Sequence, residues 1–451
     1  MKKAARWLFA ALLIAVFACV ATPRALAQVG PIAAPTAHIE VQQLAPPGVQ
    51  NFDPQKAVNA YLARVSGKEK ARSDAYFEGG YVLLLVDLLY TIAVAALLLW
   101  LRISARMRDL AARLTRRQFW QAPIYVAQYM VISTAVTLPL TIYESFLREH
   151  AYGLSNQNFV QWAGDFGIEF AINLVGLTIM LTIIYAAIRW AQRTWWLWGA
   201  GITIVFLIII VVIGPVFIAP LFNHYSPLPD SAMKSSILSM ARANGIPAKN
   251  VFSVDESRQS KRISANVSGF LGTTRISLND NLLNDGTPSE VMAVMGHEMG
   301  HYVMGHVAIS ITWLSLLILF GFAFVDWAYR KLIRVFGDKW DVRSIEDPAG
   351  LPLAMALFSV FFFVVTPITN TISRTQEIQA DIFGLNVARL PDAFATTVLK
   401  VNNYRKLDPT PLEEFVFYDH PSGRTRLNEA MDWKAEHLHD PDIISGPTSP
   451  Q

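Results

Sequence analysis

Long uninterrupted apolar runs, rather than amphipathic alternation, dominate this chain. Four follow one another, roughly Tyr81 to Leu101, Pro123 to Phe146, Phe166 to Ala187 and Trp196 to Phe222. Two more, near Ala308 to Tyr329 and Leu351 to Thr371, flank a basic loop. A helix of about 20 apolar residues crosses the ~30 Å hydrocarbon layer, so each run predicts a transmembrane helix. The fold class is therefore a polytopic α-helical membrane protein with about six transmembrane helices. Between the fourth and fifth runs the pattern changes to mixed polar and apolar. It includes SANVSGF (Ser264 to Phe270), short, small-residued and β-compatible, then a helix around Val291 to Ser310. That stretch predicts an α+β region with a short β-strand.

Within VMAVMGHEMGHYVMGHVAIS, His297, Glu298 and His301 form an H-E-x-x-H sequence. Residues four apart share a helix face, so both imidazoles can reach one metal ion while Glu298 points beside it at a water. A metallopeptidase needs that set: two nitrogen ligands, a carboxylate base and an open coordination position. The bland alternative is a polar helix with unrelated histidines. Against it, the chain has nine histidines, and His297, His301 and His306 cluster within one stretch of this helix. His306 falls about 140° from the ligand face at 3.6 residues per turn, which makes it a supporting polar residue rather than a ligand.

Composition narrows the picture. Hydrophobic residues make up 53% of the chain and charged residues 16%, against roughly a quarter charged in soluble domains. Mean hydropathy is +0.33. Net charge is +3 with no basic tract, so no nucleic-acid partner is implied. Cys19 is the only cysteine. A disulfide framework and a thiolate metal site are both excluded, and one Zn²⁺ per chain must be held by His and carboxylates.

Lys2, Lys3 and Arg6, an apolar run and Ala25-Leu26-Ala27 predict a signal peptide over 1–27, with an uncleaved anchor as the rival. The first connection carries Arg102, Arg106, Arg108, Arg113, Arg116 and Arg117; the third, Arg189 and Arg193; the fifth, Arg330, Lys331, Arg334, Lys339 and Arg343. Glu144, Glu149 and Asp165 lie in or beside the second. Basic loops stay in the cytoplasm, so the first, third and fifth connections are cytoplasmic. Parity then places the H-E-x-x-H helix and the C-terminal tail on the exported side. The expected location is the inner membrane, among lipid, with a periplasmic catalytic face.

Two histidines leave zinc short of a protein ligand. The best candidate lies in TISRTQEIQAD, where Arg374, Glu377 and Asp381 share one helical face. Such a face offers one carboxylate to the metal and another to an imidazole N–H behind it. Alone, these spacings more often describe a surface ion-pair cluster; the H-E-x-x-H sequence upstream reverses that balance. The chain thus divides into 1–27 signal peptide, 28–80 extramembrane arm, 81–222 four spans, 223–307 catalytic region, 308–371 two spans and 372–451 C-terminal catalytic segment.

HEMGH with His306, SRTQEIQAD, HPSGRTRL (His420 to Leu427) and VDESRQSKRISANVSGFLG (Val254 to Gly272) stand in one order. Together they resemble the CAAX prenyl protease family of integral-membrane zinc metallopeptidases, as a bacterial-type member. The resemblance implies a zincin-type catalytic region with ligands His297, His301 and Glu377 and Glu298 as the base that activates water. Asp381 and Arg374 would stand behind the ligands. His420 would stabilise the oxyanion, and Arg426 would pair with a carboxylate. Asn266 would sit on the edge strand along which a peptide or protein substrate lies. The exported site departs from the eukaryotic pattern and sets prenylated cytosolic substrates apart from this chain. Two rivals remain at this level. One is a membrane quality-control peptidase of the heat-shock HtpX type, against which the four-span lead-in argues. The other is a non-catalytic zinc-stabilised scaffold or transporter, in which Glu298 has no task.

Overall fold

The computed structural model of the chain describes residues 52–269, 274–401 and 404–443. The expected signal peptide, the first part of the arm that follows it (28–51), Phe270 and the end of the C-terminal tail lie outside the described residues. Asp53 opens the first helix, α1 (Pro54–Ala63), by accepting from the N–H groups of Gln55 and Lys56 at 3.0 and 3.2 Å, with Pro54 at the first helical position.

Each of the six apolar runs forms one long helix. They are α2 (Gly67–Trp100), α4 (Gln118–Ala151), α5 (Phe159–Trp190) and α6 (Trp195–Leu221), then α10 (His306–Trp340) and α11 (Leu351–Ala388). A short amphipathic helix, α3 (Ile103–Leu114), fills the first connection. Ile184, Tyr185 and Ile188 of α5, Trp195 and Ile202 of α6, and Phe322 and Val325 of α10 form one buried cluster in the bundle. The helices outrun the hydrocarbon. At 1.5 Å per residue, the 38 residues of α11 measure about 57 Å against a core of about 30 Å. The surplus carries Glu377 and Asp381 past the apolar stretch. Similarly, α2 begins at Gly67, well before its apolar run, because its polar first turns dock on the C-terminal segment. Ser73 Oγ donates to the Arg405 carbonyl at 2.7 Å, and Lys406 pairs with Glu78 at 2.8 Å.

The two ends of the bundle differ. At one, the first, third and fifth connections touch. Arg102 Nε donates to the Lys339 carbonyl at 3.0 Å. The buried Arg108 pairs with Asp341 and Asp347, each at 2.8 Å. Arg330 donates to the Gln192 carbonyl at 2.6 Å, and Gln192 also bonds Glu346. At the other end, the second connection meets the catalytic region through Arg262–Glu149 at 2.8 Å and the Asn156 N–H on the Gln259 carbonyl at 3.0 Å.

Between α6 and α10 lies a four-stranded sheet in the order β1-β2-β4-β3: β1 (Tyr225–Pro227), β2 (Val251–Val254), β3 (Ala265–Ser268) and β4 (Arg275–Asn279). The central pair β2–β4 is parallel and both outer pairs are antiparallel. Its apolar face packs on α7 (Ala232–Ala243) and α9 (Pro288–Val303) through Ile237, Ile276, Leu278, Val291, Met295 and Met299. A short turn of helix, α8 (Asp280–Asp285), leads into α9. After α11 come α12 (Pro391–Val401), α13 (Pro411–Phe417) and α14 (Gly423–Glu436); the apolar sides of α12 and α14 close a second core with α1.

Candidate active site

The site is built where α9 crosses α11. The sequence T-P-S-E starts α9 with reciprocal caps: Thr287 Oγ1 accepts from the Glu290 N–H at 3.3 Å, and Glu290 Oε2 from the Thr287 N–H at 2.7 Å. Lys400 of α12 holds the same Glu290 at 2.7 Å. The helices then approach to backbone contact. A Cβ on Gly384 would lie 2.7 Å from the His297 amide nitrogen, and one on Gly296 would lie 3.0 Å from the Gly384 carbonyl. Only glycine permits that approach. It brings Glu377 and Asp381 of α11 against the imidazoles of α9.

One donor atom each from His297, His301 and Glu377 lies within 4.8 Å of the others. The two Nε2 atoms are 3.0 Å apart, and each lies 3.4 Å from a Glu377 oxygen. Their ring forms follow from what stands behind them. Asp381 Oδ1, fully buried, can only accept, so His297 Nδ1 donates to it at 2.6 Å and leaves Nε2 with a lone pair. Behind His301 is a relay. His306 Nε2 meets the Gln379 amide oxygen at 3.1 Å and must donate to it; its Nδ1 therefore accepts from His301 Nδ1 at 2.9 Å. That leaves a lone pair on His301 Nε2 as well. Gly305, at φ 69°, ends α9 and lets the chain turn back so that His306 reaches His301. His306, expected as a supporting residue, lies behind His301; the helix is broken before it, so the turn and not the 3.6-residue arithmetic places it there.

Two lone pairs and a carboxylate facing one point fit a cation. Tetrahedral bonds of about 2.0–2.1 Å separate ligand nitrogens by roughly 3.3 Å, close to the observed spacings. Glu377 Oε2 is buried without a hydrogen-bond partner among the described residues, an orphaned acceptor that a metal ion satisfies. Burial holds His301 down at about 4, the neutral form a ligand requires. Against the burial that lowers it, Asp381 and Glu377 hold His297 up to about 10, so without a metal Nε2 carries a proton, which a cation bound at that atom would displace to free the lone pair.

A cavity of about 210 Å³ opens beside these donors. Its walls include Glu298, the Ile263 to Ala265 segment, Phe394 and Val398 of α12, and His420. Burial pushes the Glu298 carboxyl up to about 7; a cation alongside pulls it back toward the ionised form that a base needs. His420 arrives from the turn before α14, its Nε2 3.5 Å from Glu377 Oε2. Arg426 grips Asp381 with two bonds of 2.8 and 2.6 Å, the carboxylate pairing expected of it. Asn266 sits exposed on β3, opposite Ser277 of β4, at the outer edge of the sheet.

Arg374 stands elsewhere. It does not back an imidazole; its Nη1 donates to the carbonyls of Glu414, Phe415 and Tyr418, and its Nη2 to Thr371. From its place on α11 it reaches forward to the segment leading into His420, so it supports the site at one remove. Gln379 and Arg405 were not legible as site residues. Gln379 is an amide two positions from Glu377, and Arg405 lies in a loop without periodicity.

Residues 227–434 match the description Peptidase family M48, and residues 53–224 match CAAX prenyl protease N-terminal, five membrane helices. A Bacillus subtilis protein described as the uncharacterized metalloprotease YhfN is 35% identical over 69% of this chain and 74% of its own length. A rice (Oryza sativa) CAAX prenyl protease 1 homolog is 27% identical over 82% of this chain and 88% of its own. CAAX prenyl protease 1 of Saccharomyces cerevisiae is 29% identical over 68% and 70%. The crystal structure of S. mikatae Ste24p has the same fold, with a TM-score of 0.68 at 22% identity over 84% of this chain and 94% of that one. The ordered motifs, the helical bundle and the His–His–Glu cluster thus agree with the sequence matches: the chain belongs to peptidase family M48 and is a multi-pass membrane metalloendopeptidase acting on peptide or protein substrates.

Proposed function

We propose that the chain is a zinc endopeptidase of the inner membrane that cleaves exported peptides with Glu298 as the general base. The observation that carries this reading is the meeting of three zinc-type donors, His297 Nε2, His301 Nε2 and a Glu377 oxygen, at a cavity walled by Glu298. Bound by them, zinc supplies Lewis acidity. The substrate main chain pairs with the free edge of β3, which binds an extended peptide through its N–H and C=O groups with little demand on sequence. Asn266 adds a polar contact on that edge. Glu298 takes a proton from water as the water oxygen bonds to the scissile carbonyl carbon. His420 Nε2 donates to the carbonyl oxygen as it becomes negative. As the C–N bond breaks, Glu298 passes its proton to the leaving amine.

Loop charge favours a site outside the cytoplasm, and the clustering of the first, third and fifth connections at the end away from the catalytic region supports that reading. The yeast and rice relatives are named for CAAX prenyl substrates. On the exported side, substrates made and prenylated in the cytosol are out of reach, so unmodified exported segments are the better match. Glu298→Gln tests the base: metal content stays, and cleavage of casein or a model peptide falls at least about a hundredfold. Full activity in that variant refutes the assignment.

A further inference from the structure

Arg405 and Asp419 converge on the back of the His420 ring. Arg405 Nη2 lies 3.3 Å from His420 Nδ1, and Asp419 Oδ1 lies 3.0 Å from the same nitrogen. Arg405 Nη1 holds that carboxylate at 3.3 Å. The opposite nitrogen, Nε2, faces Glu377 and the cavity. A guanidinium only donates and a carboxylate only accepts. If Nδ1 accepts from Arg405, the proton of the neutral ring sits on Nε2. If a charged ring donates to Asp419 through Nδ1, Nε2 carries a proton as well. The neutral ring with its proton on Nδ1 leaves Nε2 bare and serves Asp419 rather than Arg405, so Arg405 is the contact that favours a proton on Nε2. The Arg405 backbone is itself fixed, since Ser73 of α2 donates to its carbonyl at 2.7 Å.

We propose that Arg405, held in place by Asp419, is a positioning residue that fixes the back of the His420 ring and turns its Nε2 into the cavity. The proposal rests on the oxyanion role of His420 given above. It also gives α2 a part in the reaction, because the first membrane helix sets where the guanidinium stands.

The test is a double-substitution cycle on the full-length, zinc-loaded enzyme in detergent, with one fixed peptide. Arg405→Leu lowers kcat about tenfold with KM unchanged, the size usual for a group that orients another. Arg405→Lys, which still donates, restores most of it, and the exposed Asp419→Ala costs about threefold. In a His420→Ala background none of these changes kcat further. Equal losses with and without His420 overturn the proposal. A His420→Ala enzyme with full kcat overturns the oxyanion reading, and this proposal with it. If Arg405→Leu fails to fold, judged by melting and metal content, Asp419→Ala carries the same cycle.

Discussion

At Asp381 two demands meet in one carboxylate: it accepts from His297 Nδ1 at 2.6 Å and from Arg426 at 2.6 and 2.8 Å, with no exposure to solvent. Its loss frees the His297 ring and strands a largely buried guanidinium. Removing one partner of a buried pair costs about 3–5 kcal/mol, far more than the pair itself contributes. Glu377 differs, because its Oε2 has no hydrogen-bond partner among the described residues, only imidazoles at 3.4–3.5 Å. Asp381→Ala should therefore lower both the melting temperature of the metal-free protein and its metal affinity, the latter by about 10- to 100-fold. Glu377→Ala should abolish metal retention while lowering the metal-free melting temperature less than Asp381→Ala does, because its contacts are imidazoles at 3.4–3.5 Å and not a buried guanidinium. Calorimetry in chelator, with elemental analysis of the dialysed proteins, separates the two. An Asp381→Ala protein that melts like the parent sinks the two-sided role. Both carboxylates were legible from i, i+4 spacing on a face below an apolar run. Arg374 shared that face and was misplaced, because spacing shows which residues point together and not how far a long side chain travels.

The crossing of α9 and α11 is a property of elements, and its cause is written in small residues. Gly296 and Gly300 lie four apart in α9, and Ala380 and Gly384 four apart in α11. A Cβ on Gly300 would already sit 3.1 Å from the Ala380 Cα. Side chains in that seam would push the helices apart and carry Glu377 away from both imidazoles. Gly384→Val should cost roughly 1–3 kcal/mol through overpacking. Its metal affinity should fall far more than that of a substitution of equal stability cost remote from the seam, such as Ile237→Val. Zinc titration of both proteins decides the matter, and equal affinities would refute the seam as the device that sets ligand spacing. The sequence carried this information in plain view. The same six residues, GHEMGH, carry both imidazoles on one face and the close-packing glycines on the other, and the chemical motif drew the reading to the first face alone. The β edge was legible from SANVSGF as a short strand; its position outermost in the sheet depends on pairings between residues far apart in the chain, which local pattern does not contain.

For the whole molecule the remaining question is which way the bundle stands. Hydropathy was enough to find every one of the six candidate spans, because an apolar helix long enough to cross a bilayer has few other homes. It was less informative about where helices end. The polar first turns of α2 and the last turns of α11 belong to the catalytic layer, and their boundaries are set by docking rather than by lipid. Orientation follows from charge, and the structure adds that the three basic connections form one contiguous face joined by Arg102, Arg108 and Arg330. Turning the molecule over would place that whole face on the exported side at once, so the preference is collective rather than the sum of separate loops. The hairpin of α10 and α11 returns the chain to the side of the H-E-x-x-H helix, and the C-terminal tail shares that side. Alkaline phosphatase fused to the C-terminus should therefore be active, because it folds only after export, and green fluorescent protein at the same position should be dark. The opposite pair of results would put the zinc-type donors in the cytoplasm, within reach of prenylated chain ends, and would leave the hydrolytic chemistry intact while replacing its substrate.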